Sequence, residues 1–316
     1  MNKQPLRDLF DAMYHGKHQF ADFMSCDVTA RATAFQLNER TMYSPDKRLR
    51  AYHSFLTLFL FDYFPVESEV AFGYRKGSSA YDAVSPHARS RHFFQADITS
   101  FFGSLDSGVV ANVIDEHKER SPIEDVEKYT ARVRSLVLLN GSLPMGFSTS
   151  PVLSNACLYK FDRALRERCQ TAGLHFTRYA DDLIISSGDL ELTRSAKAIV
   201  EEVLLHEFDG KLQLNAEKTK LTSIGRKVKI LGMVILPNGR ITVDQRTKDR
   251  IEVLIHFYRV DQERFLALVK NDRAGGLEHL AGLVSYVNTV DQEYLGKLRR
   301  KFGVTIVDSL LHKTIL

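Results

Sequence analysis

Phe176-Thr177-Arg178-Tyr179-Ala180-Asp181-Asp182-Leu183-Ile184-Ile185-Ser186-Ser187 sets two adjacent carboxylates between two runs with the composition of buried β-strand. Phe176-Thr177 and Leu183-Ile184-Ile185 predict the arms of a hairpin, with Asp181 and Asp182 at its tip. Two carboxylates side by side against apolar strands repel each other and lose hydration, so they need a positive partner or an opening to water. The turn contains neither glycine nor asparagine, which predicts backbone strain of the kind met at working sites. An acidic surface turn would explain the hairpin alone equally well.

A second strand changes that balance. His92-Phe93-Phe94-Gln95-Ala96-Asp97-Ile98 reads as a strand ending at Asp97, and two strands of one sheet can bring their carboxylates together. Two or three carboxylates with a main-chain carbonyl such as that of Ile98 would hold a pair of hard divalent cations roughly 3.5–4 Å apart, the arrangement suited to in-line phosphoryl displacement. Such cations would remove the repulsion.

The 316 residues are 44% hydrophobic and 26% charged, ordinary for a folded protein of two or three structural units. A net charge of +4 argues only weakly for an anionic partner, so local basic clusters carry more: Lys47-Arg48 with Arg50, Arg75-Lys76, Lys218 with Lys220, Arg226-Lys227 with Lys229, and Arg299-Arg300-Lys301. Each is also compatible with a solvated surface. Three cysteines without C-x-x-C spacing indicate neither a disulfide framework nor a structural zinc site. The polar start and the lack of any run near the ~18 apolar residues of a membrane span predict a soluble, unprocessed, cytoplasmic protein with no membrane partner.

Other local signals place helices. Phe55 to Phe61 reads as a buried helix ahead of Pro65. Asp106 or Ser107 caps a helix with the stripe Val109, Val110, Val113 and Ile114, and Ser150-Pro151 reads as a capping hydroxyl and first-turn proline of a helix running to Arg168. Pro237-Asn238-Gly239 predicts a β-turn, and the stripes Ile251, Leu254, Ile255, Tyr258 and Leu280, Leu283, Val284, Val287 predict a helical C-terminal subdomain.

Five segments in this order and spacing resemble the palm motifs of reverse transcriptases: Asp97 with Phe101-Phe102, Pro144-Met145-Gly146-Phe147-Ser148-Thr149-Ser150-Pro151, Tyr179-Ala180-Asp181-Asp182, Asn215-Ala216-Glu217-Lys218-Thr219, and Ile230-Leu231-Gly232. Arg40-Thr41-Met42-Tyr43-Ser44-Pro45 and Gly73-Tyr74-Arg75-Lys76-Gly77-Ser78 are similar to the fingers of bacterial members. His279 to Tyr286, with Asp291, Tyr294 and the segment up to Gly303, resembles the thumb of retron enzymes. Ala83-Val84-Ser85-Pro86-His87 and Ile230-Leu231-Gly232 keep the histidine and glycine of two retron segments but not their partners, so another bacterial defence-associated reverse transcriptase is the alternative.

The resemblance implies an α+β, right-hand polymerase fold: fingers over 1–90 with 107–147 contributing to fingers and palm, palm over 91–236, helical thumb over 237–316. It implies an RNA-directed DNA polymerase using two Mg²⁺ ions, with Asp97, Asp181 and Asp182 catalytic and Ile98 lending its carbonyl. Arg40 would grip the triphosphate, Phe102 would block a ribose 2′-hydroxyl, and Gly146 would let backbone approach the incoming base pair. Met145 stands where the family usually has a glutamine that contacts the incoming nucleotide. Lys218 would assist proton transfer to pyrophosphate or contact phosphate, Gly232 would position the primer end, and Arg299, Arg300 and Lys301 would bind RNA. Taken one at a time, Phe101 and Phe102 also suit a core, Arg40 and Lys218 a surface, and Gly232 a plain hairpin.

For a retron enzyme the implied partners are a structured noncoding RNA serving as template and primer, its DNA product, dNTPs, and an operon-encoded effector protein in phage defence. A non-catalytic RNA-binding scaffold on the same fold would have broken carboxylates, whereas all three aspartates are present. Template-independent DNA synthesis by a relative is a third reading.

Overall fold

The computed structural model of the chain describes residues 2–225, 228–270 and 276–313. Arg226 and Lys227 of the basic cluster ending at Lys229 lie outside the described residues. Among the described residues there are nine strands: β1 (Ala32–Leu37), β2 (Arg40–Pro45), β3 (His92–Asp97), β4 (His175–Tyr179), β5 (Asp182–Ser187), β6 (Lys220–Ser223), β7 (Val228–Ile230), β8 (Met233–Ile235) and β9 (Ile241–Val243). They form three sheets, β1-β2, β4-β5-β3-β6 and β7-β8-β9.

The chain divides into two compact units, Met1–Ser79 with Phe93–Leu221, and Ala80–His92 with Thr222–Leu316. In the first, β5 is buried through Leu183, Ile184 and Ile185, the run expected of a strand covered on both faces. Helices Tyr159–Thr171 and Leu190–Phe208 pack against β4 and β5. Helix Ser107–His117 begins as its sequence predicts, with the Asp106 side chain accepting from Val109 N, and it buries Val110, Val113 and Ile114. Helix Lys47–Phe59 meets an aromatic cluster in which Phe10 lies 5.2 Å from Phe23, 5.3 Å from Phe55 and 6.0 Å from Tyr52 between ring centroids.

The start at Ser150 differs from expectation. Helix Thr149–Cys157 is already under way there, and Ser150 Oγ donates to the Pro144 carbonyl at 2.7 Å instead of capping. That bond ties the helix to the turn before it. The helical stretch breaks at Leu158 and resumes as Tyr159–Thr171.

In the second unit, β7 and β8 are joined by a two-residue turn in which Leu231 (φ 47°) and Gly232 (φ 82°) are both left-handed, as in a type I′ hairpin. The β8–β9 connection closes with Leu236 N donating to Arg240 O at 2.9 Å and Gly239 N to Leu236 O at 2.9 Å, the turn read from Pro237-Asn238-Gly239. Among the described residues five helices follow, Gln245–Val260, Gln262–Val269, Gly276–Val290, Gln292–Phe302 and Val304–Lys313. Ile251, Leu254, Ile255, Leu280, Val284 and Val287 are buried as their periodicity predicts. Asp291 caps Gln292–Phe302 through Tyr294 N at 3.0 Å and accepts from Lys248 at 3.0 Å.

Candidate active site

The hairpin register pairs Tyr179 with Asp182, leaving Ala180 and Asp181 as a two-residue turn. Ala180 takes φ 58°, a left-handed conformation in which an L-residue is disfavoured by about 1–2 kcal/mol. The strain inferred from the missing glycine is therefore real, and surrounding contacts impose it. Ala71 bridges Arg178 in parallel, with Phe72 N donating to Arg178 O at 2.9 Å and Arg178 N to Val70 O at 2.7 Å. Where that segment passes the turn, a Cβ on Gly73 would lie 2.3 Å from Ala180 N, so only glycine fits.

Arg178 holds the turn from behind. Its guanidinium is fully buried and donates to Asp162 at 2.7 and 2.6 Å, to the Ala180 carbonyl at 2.8 Å and to Asn155 Oδ1 at 3.1 Å. Asn155 Nδ2 then donates to the Gly73 carbonyl at 2.9 Å. A buried charge needs a partner in good geometry, and here the pair also fixes both backbones flanking the turn. Sequence reading missed this group. Its signal was an arginine inside a run of buried-strand composition, which demanded a buried carboxylate elsewhere.

At the tip, Asp97 ends β3 and Ile98 N donates to Asp181 O at 3.2 Å. Burial raises the Asp181 pKa first, and the neighbouring Asp97 carboxyl raises it further. Asp182 is pushed up to about 6, by burial and then by the charges of Asp181 and Asp97. Neighbouring strands β3 and β5, with the bond from Ile98 to Asp181, bring Asp97 to the same end of the sheet as Asp181 and Asp182. The positive group expected beside them is Lys218, whose Nζ lies 2.8 Å from Asp97 Oδ2. Its loop is strapped to the same strand, because Asn215 N donates to Asp97 O at 2.7 Å and Thr99 N to Gln213 O at 2.9 Å. Those two bonds leave out the Ile98 carbonyl.

Among the described residues no three acidic, histidine or cysteine side chains form a ready-made metal cage. The donor set nonetheless fits a hard divalent cation: it is all carboxylate oxygen, the Asp97 charge raises the pKa of both Asp181 and Asp182, and Lys218 and then Lys220 act against that rise.

Phe102 is half-buried with its ring centroid 5.1 Å from Phe101 and 6.1 Å from Tyr74. Tyr43 N donates to Met145 O at 2.8 Å, bringing β2, which begins at exposed Arg40, onto the Met145-Gly146 turn. At φ 107°, Gly146 admits a close backbone neighbour as predicted, and that neighbour is Tyr43, whose carbonyl oxygen would be 2.4 Å from an added Cβ.

Gly232 and the basic trio belong to the second unit. A Cβ on Gly232 would stand 3.6 Å from the Tyr286 hydroxyl. Arg299 pairs with Asp308 at 2.8 Å and Lys301 with Glu252 at 2.5 Å, while Arg300 is exposed. Surface pairs of this kind contribute about 0–1 kcal/mol, which leaves them exchangeable for phosphate. Among the described residues no helix is long and apolar enough to cross a membrane.

Residues 38–235 match the family model for reverse transcriptase (RNA-dependent DNA polymerase), and the chain belongs to that family. It is similar to retron reverse transcriptases. Retron Ec86 reverse transcriptase of Escherichia coli is 24% identical over 90% of this chain and 84% of that protein. Retron Mx65 reverse transcriptase of Myxococcus xanthus is 26% identical over 83% of this chain and 61% of that one. Among solved structures, a telomerase from Candida albicans in complex with a fragment of telomeric RNA gives a TM-score of 0.48 at 12% identity, over 90% of this chain and 59% of that chain. Membership of the family gives the chain the α+β right-hand polymerase fold and RNA-directed DNA polymerase activity, and the relatives it is similar to are of the bacterial retron type.

Proposed function

We propose that this enzyme copies a dedicated structured noncoding RNA into DNA, starting from a guanosine 2′-hydroxyl of that RNA and leaving a branched RNA–DNA molecule. The product and a separate effector protein from the same operon would act together in phage defence in the cytoplasm. The clustering of Asp97, Asp181 and Asp182 beside Lys218 supports the chemistry, and the similarity to retron enzymes supports the substrate.

Asp97, Asp181 and Asp182, with the Ile98 carbonyl, would hold two Mg²⁺ ions. Bound there, the ions would lower the pKa of the primer hydroxyl and neutralise the departing pyrophosphate. Arg40 grips the triphosphate of the incoming dNTP with a planar, permanently charged fork. Lys218 exchanges its bond to Asp97 for a phosphate oxygen or a proton transfer to pyrophosphate. Phe102 excludes a 2′-hydroxyl, and Met145 and Gly146 line the base pair. Gly232 positions the primer end, and Arg299, Arg300 and Lys301 follow the RNA backbone, since A-form grooves hide base identity. In this reading fingers span 1–90, with 107–147 shared between fingers and palm, palm 91–236 and thumb 237–316.

Sequencing the nucleic acid that copurifies with the protein expressed beside its own upstream RNA tests this. Covalently branched RNA–DNA is the expected result. RNA alone would point to a scaffold, and DNA unrelated to the RNA to untemplated synthesis.

A further inference from the structure

Tyr74 stands out among the residues to which the reading above gives no role. It is 45% exposed, and its backbone sits at φ 61°. A bulky residue in the left-handed region is an outlier that persists only where the surroundings dictate it. They do so here. Gly73 is wedged against Ala180 N, its carbonyl is held by Asn155, and on the other side Arg75 Nη1 donates to the carbonyls of Ser68 at 2.9 Å and Ala71 at 2.6 Å. The chain path explains the left-handed backbone but not the ring, because glycine would take that φ at no steric cost.

The clamp delivers the ring to one place. Its centroid lies 6.1 Å from that of Phe102, with the planes tilted by 38°. Burial raises the Tyr74 hydroxyl pKa first, and the Asp181 charge raises it next, so the ring shares the electrostatic neighbourhood of the catalytic hairpin. From the segment after Ala71 and from the short helix Phe101–Ser104 that follows β3, two aromatic rings thus converge.

We propose that Tyr74 is a specificity-determining residue, the second wall of the sugar side of the incoming-nucleotide pocket, which together with Phe102 selects deoxyribose over ribose. This rests on the reading of Phe102 as the ring that excludes a 2′-hydroxyl. Phe102 alone could retreat from an added hydroxyl; Tyr74, pinned through Gly73 to the hairpin, would stop the sugar from shifting the other way.

The test compares dTTP with UTP incorporation on poly(rA) primed with oligo(dT), using the full-length chain and its Tyr74→Gly, Tyr74→Phe and Phe102→Ala variants, with thermal unfolding of each. Tyr74→Gly should lower the dTTP-to-UTP ratio of kcat/KM by roughly tenfold or more, the scale of a lost packing contact, with thermal stability near native. Tyr74→Phe should keep native discrimination. If Phe102→Ala loses discrimination while Tyr74→Gly keeps it, Tyr74 has no such role and the reading of Phe102 stands. If neither variant changes the ratio, the sugar gate itself is wrong. A Tyr74→Gly protein that unfolds more easily at native discrimination would make the ring a packing strut and overturn the assignment.

Discussion

Behind the hairpin, Asp162 faces Arg178 through two bonds of 2.6 and 2.7 Å, with both side chains fully buried. At the hairpin tip, Asp181 and Asp182 face Asp97 of β3, with half-exposed Lys218 bonded to Asp97 and Lys220 adding a second positive charge. The same hairpin serves both. The rear pair is balanced charge for charge and its geometry leaves nothing to add, so it fixes position. The front cluster carries a surplus of negative charge, so it has capacity left for a cation. Pairing to completion gives the fold rigidity, and stopping short of completion gives the site its chemistry.

The contrast breaks most visibly at the front. Asp181→Asn combined with Asp182→Asn should reduce primer extension by about a thousandfold or more, the scale of losing electrostatic groups at the reacting centre, with RNA retention in a filter assay near native. Residual synthesis above a hundredth of native would remove these carboxylates from catalysis.

At the rear the effect should fall on stability. Asp162→Asn leaves Arg178 buried without its counter-charge and should cost about 3–5 kcal/mol in urea unfolding. Replacing both partners, Arg178→Met with Asp162→Leu, should cost less, about 1–3 kcal/mol. That remainder reflects the Ala180 carbonyl and Asn155 left unsatisfied. A double variant as unstable as the single would mean that charge is not what the pair contributes.

A smaller effect separates the two regions by sign. The Asp182 carboxyl titrates higher in the folded chain, near 6, than in the unfolded chain, so folding favours its protonated form. Stability from that preference is present below the unfolded carboxylate range and is lost as pH rises through about 6. Asp182→Asn should therefore stabilise the chelator-treated protein by about 1 kcal/mol at pH 7, after allowance for solvent screening, and by nothing measurable near pH 4. A loss of stability at pH 7 would contradict the like-charge picture.

Much of this was legible in the residues. Asp97 and the Tyr179-to-Asp182 hairpin signalled themselves because carboxylates beside apolar strands need explaining, and the Asp106 cap and the C-terminal stripes obey local rules. Partners contributed from far along the chain were not legible. Asp162 lies on a helix rich in charged residues, and no local pattern connects it to Arg178. Ser150 kept the composition of a cap while its hydroxyl went to Pro144, since tertiary approach of the preceding turn outweighed the local signal. Tyr74 was visible only as part of a basic, glycine-containing segment; its left-handed backbone depends on a glycine meeting a turn more than a hundred residues away.

The bond from Tyr43 to Met145, with Gly146 pressed against the Tyr43 carbonyl, has a mechanical outcome. The strand that begins at Arg40 is riveted to the shelf at Met145-Gly146, so the arm cannot swing without dragging the shelf. Capture of a triphosphate would then be felt at once under the base it belongs to, and a badly seated base would tug on the arm in return.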